Sequence, residues 1–188
     1  MFSIEGKKAF VSGASRGLGR QFANALAKAG ADVAITSRTL SSLEGTSKEI
    51  ETAGSKCVSL EMNVLNLESI QDAVNKAEQE LGKIDILINN AGCNIRKPAL
   101  DVTWEDWNTV VDTNLKGAFF LAQAIAKGMT ERNYGRIVNI GSVTCVAGYA
   151  GLAPYGASRG GIKQMTMSLA HDWGEKGVTV NCLAPGWF

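Results

Sequence analysis

Short apolar or β-branched runs alternate along the chain with longer amphipathic stretches. The runs predict strands over 8–12, 32–36, 56–62, 84–89, 135–140 and 178–183. The stretches between them predict helices over 16–29, 39–53, 67–81, 104–129 and 154–175. Strands that alternate with helices build βαβ units around a parallel sheet. Ile84-Asp85-Ile86-Leu87-Ile88 and Arg136-Ile137-Val138-Asn139-Ile140 are nearly continuously apolar, as expected when helices cover both faces of a sheet. No linker, charge block or internal repeat interrupts the pattern, which predicts one α/β domain over 1–188 with six strands in a doubly wound parallel sheet.

Composition narrows the function classes. The 188 residues are 45% hydrophobic and 20% charged, ordinary for a globular chain, and long enough to bury a sizeable core. Nineteen Lys+Arg against eighteen Asp+Glu leave a net charge of +1, which argues against a nucleic-acid or membrane-surface partner held by bulk charge. Cys57, Cys93, Cys145 and Cys182 are scattered without a C-x-x-C, so neither a zinc site nor a disulfide framework is expected. The N-terminus lacks the apolar stretch of a secretion signal, no run is long enough to span a bilayer, and a cytoplasmic location is expected. The unusual quantity is 21 glycines with only 3 prolines, which points to tight turns and close backbone approach.

Three of those glycines have an evident place. Gly13-Ala-Ser15-Arg16-Gly17-Leu18-Gly19 follows the first predicted strand and opens the first predicted helix. Glycines there permit a tight turn and bring backbone N–H groups up to a pyrophosphate at the helix N-terminus. The spacing is G-x-x-x-G-x-G, and the strand–glycine–helix context is what makes it a nucleotide turn rather than a plain loop. A ribose-binding acid is expected roughly 20 residues further on, at the end of the second strand. Thr36-Ser37-Arg38-Thr39 stands there instead. Arg38 with Arg16 presents guanidinium groups suited to a 2′-phosphate, which favours NADP over NAD; two solvated surface arginines are the alternative.

With these residues in place the chain resembles the short-chain dehydrogenase/reductase family, of the compact Rossmann-type architecture. The resemblance rests on Gly13-x-x-x-Gly17-x-Gly19, Asn63-Val64, Asn89-Asn90-Ala91-Gly92, Asn114, Ser142, Tyr155 and Asn181-x-x-x-Pro185-Gly186, in that order along the whole chain. Asn94-Ile95-Arg96-Lys97-Pro98 and Trp104-Glu105-Asp106-Trp107 look most like gluconate 5-dehydrogenase and 3-oxoacyl-carrier-protein reductase members. The resemblance implies that Gly13, Ser15, Arg16, Gly17, Leu18, Gly19, Arg38, Asn63, Val64, Asn90, Ala91, Gly92, Tyr155, Arg159, Pro185 and Gly186 contact the cofactor. Asn63 stands where the family usually has Asp, and its carbonyl can still accept an adenine amino proton. Ser12 keeps the hydroxyl of the family's more common Thr.

The same resemblance makes Asn114, Ser142, Tyr155 and Arg159 the catalytic group. Reducing a carbonyl requires a proton donor for the developing alkoxide, and a phenol serves when a nearby cation draws its pKa down from about 10. Ser142 would hold the substrate oxygen, and Asn114 would hold a water of a proton relay. The family motif Tyr-x-x-x-Lys reads here Tyr155-Gly-Ala-Ser-Arg159. A spacing of four keeps the cation on the phenol's helical face, but an arginine does not readily give up a proton. Lys163 lies one turn on and is read as solvated, His171 as a cation at a helix C-terminus, and Cys145 as a small apolar filler.

The expectation is an NADP(H)-dependent oxidoreductase that interconverts a small-molecule secondary alcohol and its ketone. The alternative is a catalytically silent nucleotide-binding fragment, suggested because family members run roughly 60 residues past the Pro-Gly while this chain ends at Pro185-Gly186-Trp187-Phe188. On that view the final strand and substrate loop of the family are missing. Val110, Val111, Leu115, Phe119, Ala122 and Ile125, with the helix over 154–174, form a candidate homodimer surface around 110–127.

Overall fold

The computed structural model describes residues 3–187; Met1, Phe2 and the terminal Phe188 lie outside it. Its strands are β1 (Lys8–Ser12), β2 (Asp32–Ser37), β3 (Cys57–Glu61), β4 (Ile86–Asn89), β5 (Gly135–Ile140) and β6 (Val178–Leu183). All neighbouring pairs run parallel, in the order β3-β2-β1-β4-β5-β6. The chain works outward from β1 to one edge and then returns to β4 on its other side. That reversal opens a crevice beyond the carboxyl ends of β1 and β4, where open α/β sheets bind ligands.

The helices are α1 (Gly17–Lys28), α2 (Glu44–Thr52), α3 (Leu67–Leu81), α4 (Trp104–Val111), α5 (Gly117–Glu131) and α6 (Ala153–Gly174). Alternation along β1 divides the core. Ala9 and Val11 join Ala23 and Ala27 of α1 and Ile50 of α2 on one face. Phe10 joins Ile70 and Ala77 of α3, Leu121 and Ile125 of α5 and Leu169 of α6 on the other. Period-two alternation in the strands and period 3.6 in the helices produce this three-layer arrangement. Among the described residues no helix is long and apolar enough to cross a membrane.

Local signals set most boundaries. Asn66 caps α3 by accepting from the Ser69 N–H, and Gly82 ends it at φ 85°. Thr103 and Asp106 form a reciprocal capping box that starts α4. Two predicted helices are interrupted. The 39–53 segment begins as a 3₁₀ turn (Leu40–Leu43), because Ser37 and Ser42 hydroxyls donate to the Thr39 carbonyl and compete with the helical ladder. The 104–129 segment is split by a π-turn, Asp112–Lys116. Tertiary contacts flank that turn: Asn114 is bonded to Cys93, and Gly117 lies so close to Val64 that a Cβ would stand 2.7 Å from its carbonyl oxygen.

The expected pairing surface is also altered. Val110, Ala122 and Ile125 are buried in this chain's own core and are not available to a partner. Leu115 packs against Gly161 of α6, where a Cβ would stand 2.6 Å from its Cδ2.

One half-buried ion pair at the start of the sheet gives a pH signature. Asp32, at the start of β2, accepts from Lys8 Nζ at 2.5 Å and from the Lys56 N–H at 2.9 Å, tying β1, β2 and β3 together. The Lys8 hydrogen bond is the main cause that holds its carboxyl below the ordinary range, with burial opposing. A depressed folded pKa contributes stability that is present above the unfolded value of about 3.9 and is lost as pH falls through the folded value. Asp32→Asn is therefore expected to lower Tm at pH 7 and to flatten its fall as the pH drops below the ordinary carboxylate value of about 3.9. Thermal melts across that range check it, and an unchanged slope would refute it.

Candidate functional site

The crevice at the reversal point is a cleft of about 810 Å³. Gly13, Ser15, Arg16, Gly17, Leu18, Gly19, Arg38, Asn63, Val64, Asn90, Ala91 and Gly92 line it, as do Thr36, Ser37, Met62, Cys93, Thr109 and Thr113. Its floor is built by a junction of β1 with β4. The Ser12 hydroxyl accepts the N–H groups of Asn90 at 2.9 Å and Ala91 at 3.0 Å. The Asn90 Nδ2 donates to the carbonyls of Ser12 and Gly13, each at 3.0 Å.

This junction forces the glycines. Gly13 has φ +66°, and a Cβ there would stand 2.9 Å from the Ala91 Cα. A Cβ on Gly19 would collide with the Gly13 carbonyl and stand 2.5 Å from Asn90 Nδ2. Gly17 has φ +57° and open space before it. Arg16, the residue preceding α1, is extended and makes no side-chain cap, so no side chain covers the first N–H groups of that helix. A glycine cradle, an uncapped helix N-terminus and two exposed arginines at the end of β2 and in the turn fit a phosphorylated dinucleotide. Asn63 lines the cleft, and its side-chain oxygen accepts the Leu65 N–H at 3.1 Å, leaving its second lone pair free.

The remaining candidates gather beside this cleft without lining it. Tyr155 and Arg159 share one face of α6, with the guanidinium carbon 5.0 Å from the phenol ring centroid. Arg159 is only 6% exposed. Its Nη1 donates to the Ile140 carbonyl at 2.7 Å, and its Nε is buried without a partner. A Cβ on Gly92 would stand 2.5 Å from Arg159 Nη2, so the guanidinium lies against the bare Cα of a cleft-lining residue. Ser142, two residues after Ile140, accepts the Thr144 N–H at 3.2 Å. Beyond it opens a smaller cavity of about 320 Å³, lined by Thr144, Cys145, Val146, Tyr149, Leu152 and Gly156 among others.

Asn114 is more engaged than expected. Its oxygen accepts the Cys93 N–H at 2.8 Å, and its Nδ2 donates to the Cys93 carbonyl at 2.9 Å and to Ser158 Oγ at 3.0 Å. The carboxamide thereby fastens the loop after β4 to α6. Pro185 and Gly186 do not line the large cleft; the Pro185 carbonyl accepts the Val143 N–H at 2.9 Å and holds the Ser142 turn instead. Cys145 is no apolar filler: its sulfur donates to the Arg159 carbonyl at 3.0 Å and accepts the Ser142 N–H at 3.4 Å. Lys163 and His171 are exposed on α6, clear of both cavities.

Sequence reading missed a buried polar relay behind the site. Asn89 Nδ2 donates to the Ala118 carbonyl at 2.6 Å and to Asn139 at 3.2 Å, and Asn139 Nδ2 donates to Thr166 at 3.0 Å. It joins β4, β5, α5 and α6. The signal was two asparagines inside apolar strands, where a buried amide requires partners.

Comparison with known proteins places the chain among oxidoreductases. The short chain dehydrogenase family model matches residues 7–188. The chain is 40% identical over 188 residues to gluconate 5-dehydrogenase of Gluconobacter oxydans (strain 621H), covering 100% of this chain and 73% of the relative. It is 37% identical to the 3-oxoacyl-[acyl-carrier-protein] reductase FabG of Escherichia coli (strain K12), over 98% of this chain and 75% of that protein. The crystal structure of a gluconate 5-dehydrogenase from Burkholderia cenocepacia J2315, in complex with NADP and tartrate, superposes with a TM-score of 0.95 at 34% identity, over 100% of this chain and 73% of that one.

The crowding around Gly19 yields a prediction. Gly19→Ala drives a methyl group into the Gly13 carbonyl and Asn90, an overpacking cost of about 1–3 kcal/mol. We expect a Tm lower by roughly 2–10 °C and loss of dinucleotide binding. Calorimetry with and without nucleotide tests this, and a variant that melts and binds like the parent would refute the cradle.

Proposed function

This chain belongs to the short-chain dehydrogenase family, and we propose that it is an NADP(H)-dependent oxidoreductase interconverting a secondary alcohol and its ketone, with Tyr155 as acid/base. The observation that carries the reading is the stacking of Arg159 on Tyr155, against Gly92 at the wall of the glycine-lined cleft.

The cofactor's nicotinamide supplies or accepts the hydride when bound. Gly13, Ser15, Arg16, Gly17, Leu18 and Gly19 would hold the pyrophosphate through the uncapped start of α1. Asn63, Val64, Asn90, Ala91 and Gly92 would line the adenosine and ribose portions. Arg38 and Arg16 would clamp a 2′-phosphate, since no acid stands at the end of β2 to receive a free ribose hydroxyl.

The Ser142 oxygen accepts from a backbone N–H, which leaves its own proton to donate to the substrate oxygen. The Tyr155 hydroxyl delivers a proton to that oxygen during reduction and recovers it during oxidation. Arg159 keeps a fixed positive charge beside the phenol as negative charge develops on it. Asn114 acts as a positioning residue, its carboxamide fastening the loop after β4 to α6. The cavity lined by Tyr149 and Leu152 would seat the carbonyl or alcohol substrate. We place the protein in the cytoplasm; its four cysteines are unpaired in this structure, as fits a reducing compartment. A homodimer would pair through the partly exposed Phe119 and Phe120 of α5 and the outer face of α6.

Fluorescence titration with NADPH and its oxidation with a panel of ketones and keto sugar acids test the reading. Tyr155→Phe is expected to lower kcat by about 10²-fold or more while NADPH still binds. Binding with no turnover in the parent, unaffected by that change, would overturn the enzyme.

Arg38→Ala is expected to weaken NADPH by roughly 10–100-fold, the worth of a charged hydrogen bond, and to leave NADH unchanged. Equal losses for both would remove the phosphate clamp. Arg159→Lys is expected to raise kcat, because an ammonium exchanges protons, and to cost about 1 kcal/mol of stability through the lost bond to Ile140. A lower kcat in that variant would show the site adapted to the guanidinium.

A further inference from the structure

We propose that Cys145 and Cys182 form a peroxide-responsive dithiol beside Ser142, which closes to an intramolecular disulfide and disables the centre. The two sulfurs meet over Gly141. A Cβ built on that glycine would stand 2.7 Å from Cys182 Sγ and 2.9 Å from Cys145 Sγ. Because residue 141 has no side chain, both sulfurs pack against its bare Cα and crowd the same point, close enough for a side-chain approach to an S–S bond of about 2.05 Å. Both residues are partly buried, Cys145 in the turn after β5 and Cys182 near the end of β6. Backbone bonds hold the two segments in register, Gly141 N–H to the Leu183 carbonyl at 2.7 Å and Val143 N–H to the Pro185 carbonyl at 2.9 Å.

The two members of the pair differ. Burial, together with the neighbouring Cys145 sulfur, pushes the Cys182 thiol up, while the charge of Arg159 pulls it down. Cys182 therefore keeps its proton. Cys145 lines the smaller cavity and is the sulfur that meets a small oxidant. The charge of Arg159 acts on the Cys182 sulfur and opposes a bound metal cation at the pair, so oxidation fits this dithiol better than metal capture.

Hydrogen peroxide is the oxidant. The Cys145 thiolate attacks one peroxide oxygen, the O–O bond breaks, and the departing hydroxide takes up the thiol's proton as water, leaving a sulfenic acid. The Cys182 sulfur attacks the sulfenic sulfur, the S–O bond breaks, and the leaving hydroxide takes the Cys182 proton as a second water. Two electrons pass from the sulfurs to the peroxide, and one S–S bond forms.

The consequence for the centre follows from what Cys145 holds. Its S–H donates to the Arg159 carbonyl, and its sulfur accepts the Ser142 N–H. A disulfide has no S–H, so the first bond is lost outright and the second is displaced. The effect on turnover rests on the oxidoreductase reading, whereas formation of the disulfide does not.

The test treats the whole chain with hydrogen peroxide, blocks free thiols and maps tryptic peptides. Peptides 137–159 and 177–188 are expected to be joined with loss of two hydrogens and to separate with dithiothreitol. In Cys182→Ser the link should vanish, and dimedone should capture Cys145 as a sulfenic acid. Peroxide should lower NADPH oxidation by the parent roughly fivefold, the worth of one hydrogen bond, and dithiothreitol should restore it. A pair that stays reduced while Cys57 or Cys93 oxidises, or a link elsewhere, would overturn the dithiol. A mapped disulfide with unchanged turnover would overturn the switch. A chain that never turns over counts against the oxidoreductase reading, while the peptide map still decides the disulfide.

Discussion

The carboxyl edge of the sheet depends on the clamp between Ser12 and Asn90. β1 and β4 are neighbours whose connections leave in opposite directions, which opens a crevice at their carboxyl ends. One hydroxyl accepting two N–H groups, and one carboxamide donating to two carbonyls, hold them together. Each bond is worth about 1 kcal/mol net, yet losing the carboxamide would also strand two partly buried carbonyls. The clamp draws the chain so near Ala91 and Asn90 that positions 13 and 19 have no room for a side chain. The glycine turn is thus a consequence of the strand junction as much as a device for binding phosphate.

A second set of constraints works from behind. Asn89, Asn139 and Thr166 carry a hydrogen-bonded line from β4 through β5 into α6, and Asn114 fastens the loop after β4 to the same helix at Ser158. Buried amides are costly when unpaired, so these lines admit one registration of α6 against the sheet. That registration brings the Tyr155 face toward the strand ends. The π-turn before α5 belongs to the same arrangement, because the extra backbone residue lets Asn114 reach Cys93 while Gly117 still meets Val64.

Strands and helix identities were legible because apolar periodicity and turn residues report directly on burial. The glycine turn, Arg38 and the Tyr155–Arg159 spacing were legible for the same reason, as each is a short-range pattern with a structural meaning. The π-turn was not, since nothing in Asp112–Lys116 breaks a helix; the break comes from contacts to Cys93 and Val64, residues distant in sequence. Pro185 was read as a cofactor contact, but tertiary geometry gives its carbonyl to Val143. Cys145 was read as filler because a cysteine's polar contacts depend wholly on which backbone groups lie near its sulfur. Local chemistry identified what could bind, and long-range hydrogen bonds decided what was already occupied.

The arginine at 159 is where these constraints meet. A lysine there would present one flexible point charge, free to swing toward the cleft. The guanidinium instead uses separate parts for separate tasks: Nη1 on the Ile140 carbonyl, its carbon over the Tyr155 ring, and Nη2 against Gly92. Ile140 lies two residues before Ser142, so the bond that fixes the cation also braces the strand end that presents the serine. The arrangement requires glycine at 92, because any side chain would occupy the space of Nη2. Charge beside the phenol is thereby retained while the group carrying it is built into the wall. The substitution exchanges a mobile proton carrier for a rigid brace, and that exchange should separate stability from turnover at this single position.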